Sequence, residues 1–197
     1  MTTTSGEEQD RSDMGRLASG HDAALDSIMA RHGERLFCYL LRVLGNETEA
    51  DDLAQETFVR VYLNRERFRA SAKFTTWLYA IATNLARDRL RWRSRHPQVS
   101  LEMDENGHDG GFRNTLSTSD PTPAENLEAA ERTAAVREAV AGLQEDLRLP
   151  LVLAEYEGHS HAEIASVLNC SAKAVEMRIY RARQELRQKL SKWLKIF

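Results

Sequence analysis

The sequence predicts an all-α protein in which two small helical domains are joined by a flexible acidic linker. Apolar residues recur at helical spacing in the first half and in the last third of the chain, and no stretch shows the period of two that is typical of a strand. The middle is instead rich in Gly, Pro, Asp and Ser, a composition that does not build a packed core. We therefore expect a flexible N-terminus at 1–20, a first domain at 21–95, a linker at 96–124 and a second domain at 125–197.

Composition sets limits on the class of protein. The chain has 197 residues, 42% of them hydrophobic, and a formal net charge of −3, but its basic residues are concentrated at 60–95 and 173–195. Cys38 and Cys170 are too few and too far apart for a zinc cluster. No apolar run approaches the ~18 residues of a spanning helix, and the polar N-terminus lacks a secretion signal. We expect a cytoplasmic protein with no stable membrane insertion, no metal and no cofactor.

Three helices are expected in the first domain, at 23–43, 48–68 and 76–95. Gly45 is placed to end the first helix, because the residue after the last turn often adopts a left-handed conformation that favours glycine. Thr48 and Asp51 have the spacing of a capping box at the start of the second helix. Pro97 marks the end of the third.

The second of these helices has more apolar surface than one buried face needs. Its core side is expected to carry Ala50, Leu53, Thr57, Phe58 and Val61. The other side then presents Asp52, Gln55, Glu56, Val59 and Leu63. This mixed face is interpreted as a docking surface for a partner protein. The alternative is a solvated face with two isolated aliphatic residues.

Basic and aromatic residues alternate through 65–84, just before a helix that ends in a run of arginines. This mixture suits a nucleic-acid single strand, because cations follow the backbone while aromatic rings stack on unpaired bases. Trp77 is the ambiguous member. Its helical spacing with Leu78 and Leu85 also fits plain core packing.

The second domain begins after the breaker-rich linker. Helical pattern resumes near Ala124, and Pro150 is expected at the first turn of a helix over 151–157, where proline is tolerated. His159 and His161 follow, and with no further ligand nearby in sequence they are expected to be solvated residues of a turn.

A helix-turn-helix closes the domain. Ser160 and Glu163 form the capping box of a short scaffold helix, and a long basic helix starts after Ser171. The long helix is expected to bury Val175, Ile179, Ala182 and Leu186. Its opposite face would present Lys173, Met177, Tyr180, Arg181 and Gln184 to bases, with Arg178, Arg183 and Arg187 placed for phosphates. The alternative is a packed helical corner whose charges are solvated.

Three motifs in this order resemble a bacterial sigma factor of the extracytoplasmic function type. They are Glu-Ala-Asp-Asp-Leu-Ala-Gln-Glu-Thr-Phe at 49–58, Phe-Thr-Thr-Trp-Leu-Tyr-Ala-Ile-Ala-Thr-Asn at 74–84, and the helix-turn-helix that closes on Tyr-Arg-Ala-Arg at 180–183. The resemblance covers about 20–95 and 125–190. It implies a sigma region 2-like first domain and a sigma region 4-like second domain.

The resemblance also implies partners for each surface. Core RNA polymerase would be bound through the clamp helices of its largest subunit and its flap region, and the docking residues would be Asp52, Gln55, Glu56, Val59 and Leu63. The minus-ten element of promoter DNA would meet Arg67, Lys73, Phe74, Trp77, Asn84, Arg87 and Arg91. The minus-thirty-five element would meet Ser171, Lys173, Glu176, Met177, Arg178, Tyr180, Arg181 and Arg183. An anti-sigma factor that masks the polymerase-binding face is expected from the family.

Two residues depart from the family's pattern, and two other functions compete. Many relatives carry a basic and a small polar residue where this chain has Glu176 and Met177, so promoter specificity does not transfer; we expect Glu176 to form a salt bridge along its helix rather than contact a cytosine. The alternative function is a helix-turn-helix regulator that binds DNA without serving as a polymerase subunit. An enzyme is not expected, because no paired carboxylates, phosphate loop or nucleophile constellation is apparent.

Overall fold

The structure is a computed structural model that describes residues 3–96 and 123–194, in which all the regular structure is helical. The helices are α1 (Thr3–Ala18), α2 (Ala23–Leu44), α3 (Glu47–Leu63), α4 (Phe74–Arg95), α5 (Pro123–Ala141), α6 (Glu145–Glu155), α7 (His161–Leu168), α8 (Ala172–Lys189) and α9 (Ser191–Leu194), with a 3-10 turn at Arg65–Arg67. The predicted all-α class is confirmed. Most of the expected linker at 96–124 lies outside the described residues.

Helices α2, α3 and α4 form the body of the first domain. Their apolar faces meet in a core where Ile28, Leu40 and Leu78 are fully buried, and Phe58 is 5% exposed. Gly45 has a φ of 69° and donates its backbone N–H to the carbonyl of Leu41, so the predicted end of the first helix is confirmed.

The N-terminal segment is not flexible as expected, because α1 is a helix packed against α2. Met14 and Leu17 are buried, and so are two carboxylates, Asp10 and Asp13. Arg31 donates to Asp10 at 3.1 Å and to Asp13 at 2.6 Å. The polar composition of 1–20 had predicted a solvated tail. Composition alone does not distinguish a buried carboxylate that is paired with a cation from a solvated one.

His32 adds a second link between α1 and α2. Its Nε2 lies 2.8 Å from Asp10 Oδ1. Burial would raise the pKa of Asp10, but the hydrogen bonds and charges of His32 and Arg31 outweigh it, and the pKa falls below its ordinary value.

Three boundaries differ from those expected. The N-cap of α3 is Asn46, whose side chain accepts from the backbone N–H of Glu49 at 2.8 Å, so the capping box at Thr48 is wrong. The helix stops at Leu63 rather than at 68, because Asn64 and the 3-10 turn redirect the chain. The next helix starts at Phe74, two residues earlier than expected.

Pro150 lies inside α6, not in the first turn of a later helix. Proline inside a helix loses one backbone hydrogen bond. Here the run of apolar side chains around Pro150 is buried in the second-domain core, and that burial offsets the loss. The helix-turn-helix is as expected. Ser160 and Glu163 form the predicted capping box of α7, and Ser171 caps α8.

The two domains pack against each other in this structure. Helix α7 of the second domain lies along α4 of the first, while α5 and α6 contact α2. Ion pairs join the domains, among them Arg87 with Glu145 at 3.2 Å and Lys73 with Glu163 at 3.0 Å. One face of α4 therefore lies against the second domain. We call this packing of the two domains the closed arrangement.

Candidate nucleic-acid and protein interfaces

The outer face of α3 is the first candidate site. Val59 is 50% exposed and Leu63 is 68% exposed, whereas the residues expected on its core side are buried. Asp52 and Gln55 are exposed, and Glu56 accepts from Arg60 at 2.8 Å. The helix therefore presents a mixed apolar and acidic face, as the pattern predicted.

A pocket of about 280 Å³ lies where α3, the 3-10 turn and α4 meet. Its walls are Arg60, Asn64, Arg67, Trp77, Ile81 and Asn84. Cationic and amide groups sit beside an indole ring, an arrangement that suits an unstacked base next to a phosphate backbone.

Sequence reasoning named three of the six pocket residues. Arg67, Trp77 and Asn84 were predicted, whereas Arg60, Asn64 and Ile81 were not. Asn64 is the C-cap of α3. Because the helix was expected to continue to residue 68, the position of Asn64 at the pocket was not foreseen.

An aromatic cluster supports the pocket from behind. Phe68 and Trp77 have ring centroids 5.3 Å apart, and Phe74 lies 5.8 Å from Phe68. The Phe74 side chain is only 1% exposed and also meets the ring of His32 at 5.2 Å. Its expected role in direct DNA contact is wrong for this structure, since a buried ring cannot stack on a base. Phe74 instead holds the start of α4 in place.

Two of the predicted minus-ten cations are already paired. Lys73 Nζ lies 3.0 Å from Glu163 and 3.3 Å from Glu7, and Arg87 lies 3.2 Å from Glu145. The hydrogen bond to Glu163 raises the pKa of Lys73, with Glu7 adding to the effect. The other two cations, Arg67 and Arg91, are exposed.

Helix α8 presents the second candidate DNA surface. Met177 is 42% exposed and Tyr180 is 58% exposed, with Lys173 and Arg181 exposed beside them. Val175, Ile179 and Ala182 are buried as predicted, while Leu186 is half-buried.

Other predicted residues of α8 have local partners. Ser171 is the N-cap, and its hydroxyl accepts from the N–H of Ala174 at 3.1 Å. Glu176 pairs with Lys173 at 2.9 Å, so the predicted salt bridge along the helix is confirmed. Arg178 and Arg183 also have partners: Arg178 Nη1 lies 3.7 Å from Cys170 Sγ, and Arg183 donates to Glu155 at 3.1 and 2.5 Å.

His159 is not the solvated turn residue that was expected. It is 7% exposed, and its ring lies 4.9 Å from that of Tyr79 in the first domain. Burial lowers its pKa below the ordinary value. His161, by contrast, is exposed.

Neither a membrane span nor a metal cluster is found in the part of the chain that the structure describes. No helix there is both long and apolar enough to cross a bilayer. No group of three or more His, Cys, Asp or Glu side chains within it is arranged to hold a metal ion.

Two family models match the chain, one over each domain. The model of Sigma-70 region 2 matches residues 28–96, and the model of Sigma-70 region 4 matches residues 133–186. Together they cover the helices that carry both candidate surfaces.

Full-length relatives share about a third of the residues. The RNA polymerase sigma-H factor of Pseudomonas aeruginosa is 33% identical over 190 residues, which cover 96% of this chain and 97% of that protein. The extracytoplasmic function (ECF) RNA polymerase sigma factor SigW of Bacillus subtilis is 32% identical, with coverage of 89% and 93%.

Solved structures show the same fold. CnrH, in complex with the cytosolic domain of CnrY, has a TM-score of 0.66 and 32% identity, covering 93% of this chain and 98% of that one. The sigma factor RpoE from Bartonella quintana, in complex with the anti-sigma factor NepR, has a TM-score of 0.62 at 20% identity, covering 84% of this chain and 96% of that one. At that identity the second likeness shows the fold alone.

Proposed function

Because the chain belongs to the extracytoplasmic function family of sigma factors, we propose that it recognises a promoter with both domains while bound to core RNA polymerase. As an alternative sigma factor it directs promoter-specific transcription initiation. It acts by recognising DNA, and we place it in the cytoplasm, where polymerase and chromosome are found.

One observation carries the assignment of the surfaces. The last turns of α3 carry exposed Val59 and Leu63 and, interleaved with them, Arg60 and Asn64 of the pocket. A single helix thus joins an apolar docking face to a cavity for nucleic acid. A regulator that binds only duplex DNA through α8 has no need of this combination, so the feature favours a polymerase subunit.

The docking face takes the clamp helices of the largest polymerase subunit. Exposed aliphatic side chains ringed by polar groups are the usual anchors of a protein interface. Leu63 is the most exposed large apolar side chain of the part of the chain whose side chains are described, and Val59 lies one turn before it. Asp52, Gln55 and Glu56 supply the polar part of the face.

The pocket takes a base of the opened minus-ten element. A base leaves the duplex at a cost of a few kcal/mol, which a pocket must offset. Trp77 supplies a ring for stacking, Asn84 and Asn64 supply amide groups for the base edge, and Arg67 supplies a charge for the backbone. Arg91 continues the basic surface along α4.

The minus-thirty-five element is read by α8. Met177, Tyr180 and Arg181 form the exposed face that enters the major groove, with Lys173 at its start. The N-terminus of α8, capped by Ser171, and Arg178 suit phosphate contacts, which position the helix without reading sequence.

An anti-sigma factor is a further expected partner. CnrH, a relative of 32% identity, was solved with the cytosolic domain of CnrY bound. A protein that covers the outer face of α3 would prevent polymerase binding, since Val59 and Leu63 would no longer be accessible.

Reconstitution with core bacterial RNA polymerase tests the proposed function. We expect the protein to co-elute with core enzyme and to start transcription at specific promoters of its source genome, while the protein alone binds duplex promoter DNA weakly. Tight duplex binding by the protein alone, without a polymerase complex, would instead support the regulator that works outside the polymerase.

A further inference from the structure

The aromatic cluster behind the pocket is in contact with His32, a residue of α2. The rings of His32 and Phe74 are 5.2 Å apart, with their planes tilted by 51°. Phe74 in turn lies 6.1 Å from Trp77, the indole that forms one wall of the pocket. Packed rings have preferred offsets and tilts, so the orientation of one ring limits that of the next. The position of His32 therefore affects the position of Trp77.

Asp10 of α1 fixes the orientation of His32. Its Oδ1 lies 2.8 Å from Nε2 of the imidazole, in a place where Asp10 is only 3% exposed. Asp10 is ionised at neutral pH, since its pKa lies below the ordinary value. An ionised carboxylate only accepts hydrogen bonds, so His32 donates through Nε2 and its ring cannot turn without losing this bond. Arg31 donates to the same oxygen at 3.1 Å and holds the carboxylate itself in place.

Helix α1 also lies beside the loop that leads into α4. It contacts the 3-10 turn, whose last residue, Arg67, forms another wall of the pocket. Lys73, at the other end of the loop, lies 3.3 Å from Glu7 of α1. Both side chains of this ion pair are more than a third exposed, so the pair by itself contributes little. The buried contact through Asp10 is therefore the stronger link from α1 to the pocket.

We propose that Asp10 and His32 are positioning residues for the base that enters the pocket. Neither residue is among the six that form its walls, and both act through Phe74, which keeps Trp77 at the angle that a stacked base requires. A binding site is selective only when the residues behind its walls hold them to within about 0.5 Å. Helix α1 is thus part of the structure that reads the minus-ten element. This inference rests on the proposed role of the pocket.

The two buried carboxylates of α1 allow this role to be separated from plain stability. Asp10 and Asp13 are 3% and 0% exposed, and both accept from Arg31. Asp10 also binds His32, whereas Asp13 accepts from Gln9 of its own helix at 3.3 Å. Asp10→Ala and Asp13→Ala therefore remove the same charge from the same helix and differ in the contact to His32. Asp13→Ala is the matched control.

The first measurement follows Trp77 in the full-length protein alone. The chain has three tryptophans, so a background with Trp92→Phe and Trp193→Phe leaves Trp77 as the only indole. In this background we expect Asp10→Ala to increase the quenching of Trp77 fluorescence by acrylamide and to lower its anisotropy, because the ring is held less firmly. Asp13→Ala should leave both values close to those of the background protein.

A second variant keeps the test decisive if Asp10→Ala loses its fold, which circular dichroism checks. His32→Phe retains a ring beside Phe74 but removes the hydrogen bond to Asp10. We expect it to change the quenching of Trp77 as Asp10→Ala does. The double variant Asp10→Ala/His32→Phe should add little to either single change, because the two side chains act through one shared contact.

The second measurement asks whether the pocket still selects its base. Reconstituted polymerase transcribes a promoter of the source genome in which each minus-ten position is changed in turn to the other three bases. A base that is read well is preferred by about 5-fold to 150-fold. We expect Asp10→Ala and His32→Phe to lower this preference by about fivefold at the position that enters the pocket, and Asp13→Ala to leave it unchanged. A protein that is only less stable would lose activity on all templates by the same factor and would keep its preferences.

Two results would overturn the inference. One is quenching of Trp77 that is the same in folded Asp10→Ala or His32→Phe as in Asp13→Ala, which would mean that the pair only stabilises α1. The other is a more accessible Trp77 with an unchanged base preference, which would mean that the pair does not position the base. Both results leave the proposed function standing, since wild-type transcription tests it separately. A wild-type protein with polymerase-dependent transcription but no base preference in the minus-ten element would contradict the proposed pocket and this inference together.

Discussion

Arg181 and Arg183 are two residues apart on α8, and their surroundings differ. Arg181 is exposed on the face with Met177 and Tyr180, whereas Arg183 turns back to Glu155 of α6. An ion pair with its own domain makes Arg183 part of the scaffold as much as of the DNA surface. Sequence spacing placed both on the basic helix but could not show which one had a partner 28 residues away.

Arg181→Ala should therefore weaken use of the minus-thirty-five element more than Arg183→Ala does. We expect a cost of about 1 to 3 kcal/mol for the loss of a side chain that reads a base edge. Transcription with core polymerase on promoters with intact and scrambled minus-thirty-five elements measures it. Equal losses for the two variants, or a loss that persists on the scrambled element, would remove Arg181 from the reading face.

The buried carboxylates of α1, Asp10 and Asp13, explain why this helix packs against α2 instead of forming a solvated tail. Asp13 is fully buried and receives two kinds of support, from Arg31 at 2.6 Å and from Gln9 at 3.3 Å. Asp13→Asn should lower the free energy of unfolding by about 2 kcal/mol, because a charge-assisted hydrogen bond is lost in a buried place. Urea unfolding measures the change. The control Asp26→Asn, at an exposed position of α2, should be nearly neutral, and a similar loss in both variants would contradict the account.

Among the helices, α3 has a packing role on one face and a proposed binding role on the other. Its core side packs against α2 and α4, and its outer side leaves Val59 and Leu63 exposed. The helix does not need these two side chains for its own folding, so substitutions there separate binding from stability.

Leu63→Asp should weaken the complex with core polymerase by about 2 kcal/mol, roughly thirtyfold in Kd, while the melting temperature stays close to that of the wild type. Met29→Asp is the control, because Met29 is also an exposed apolar residue, 40% exposed, on a different helix. Binding to immobilised core enzyme gives both values. Retained affinity in a folded Leu63→Asp protein would show that polymerase docks elsewhere.

Sequence patterns predicted those elements whose signal is local. The helix-turn-helix was predicted with both caps, since Ser160, Glu163 and Ser171 act on backbone groups only three residues away. The core face of α3 was predicted from the helical spacing of its apolar residues. Helix α1 and the buried state of His159 were missed, because each depends on partners far along the chain, such as Arg31 and Tyr79. Only three of the six pocket residues were predicted, because the pocket is formed by segments that are separated along the chain.

For the whole molecule, the closed arrangement has a pH dependence with a definite sign. Burial lowers the pKa of His159, so the unfolded or open chain binds a proton that the closed chain resists, and stability falls as pH drops below about 6.5. Burial would raise the pKa of Glu163, but Ser160 and Lys73 lower it to about 2. Its contribution is full above about 4.5 and is lost as pH falls toward 2.

The loss of stability that is due to His159 can be measured separately from the loss that is due to Glu163. Groups of both domains face His159: Tyr79, Lys73, Arg35 and Glu163. The thermal stability of the wild type should fall between pH 7.5 and pH 5.5, and His159→Gln should remove most of this difference. The exposed neighbour His161 gives the control His161→Gln, which should keep the wild-type profile. A pH profile that His159→Gln leaves unchanged would assign the step to another group.

Because the docking face and the base pocket share one helix, their relative orientation is fixed by helical phase. Each residue of an α-helix adds a rotation of about 100° and a rise of about 1.5 Å. One residue inserted midway along α3 would turn Asp52 and Gln55 away from Val59 and Leu63, and it would also move Leu53 out of phase with Phe58 on the buried side of the helix. We therefore expect a single-residue insertion or deletion in α3 to be more damaging than the loss of any one of its exposed side chains.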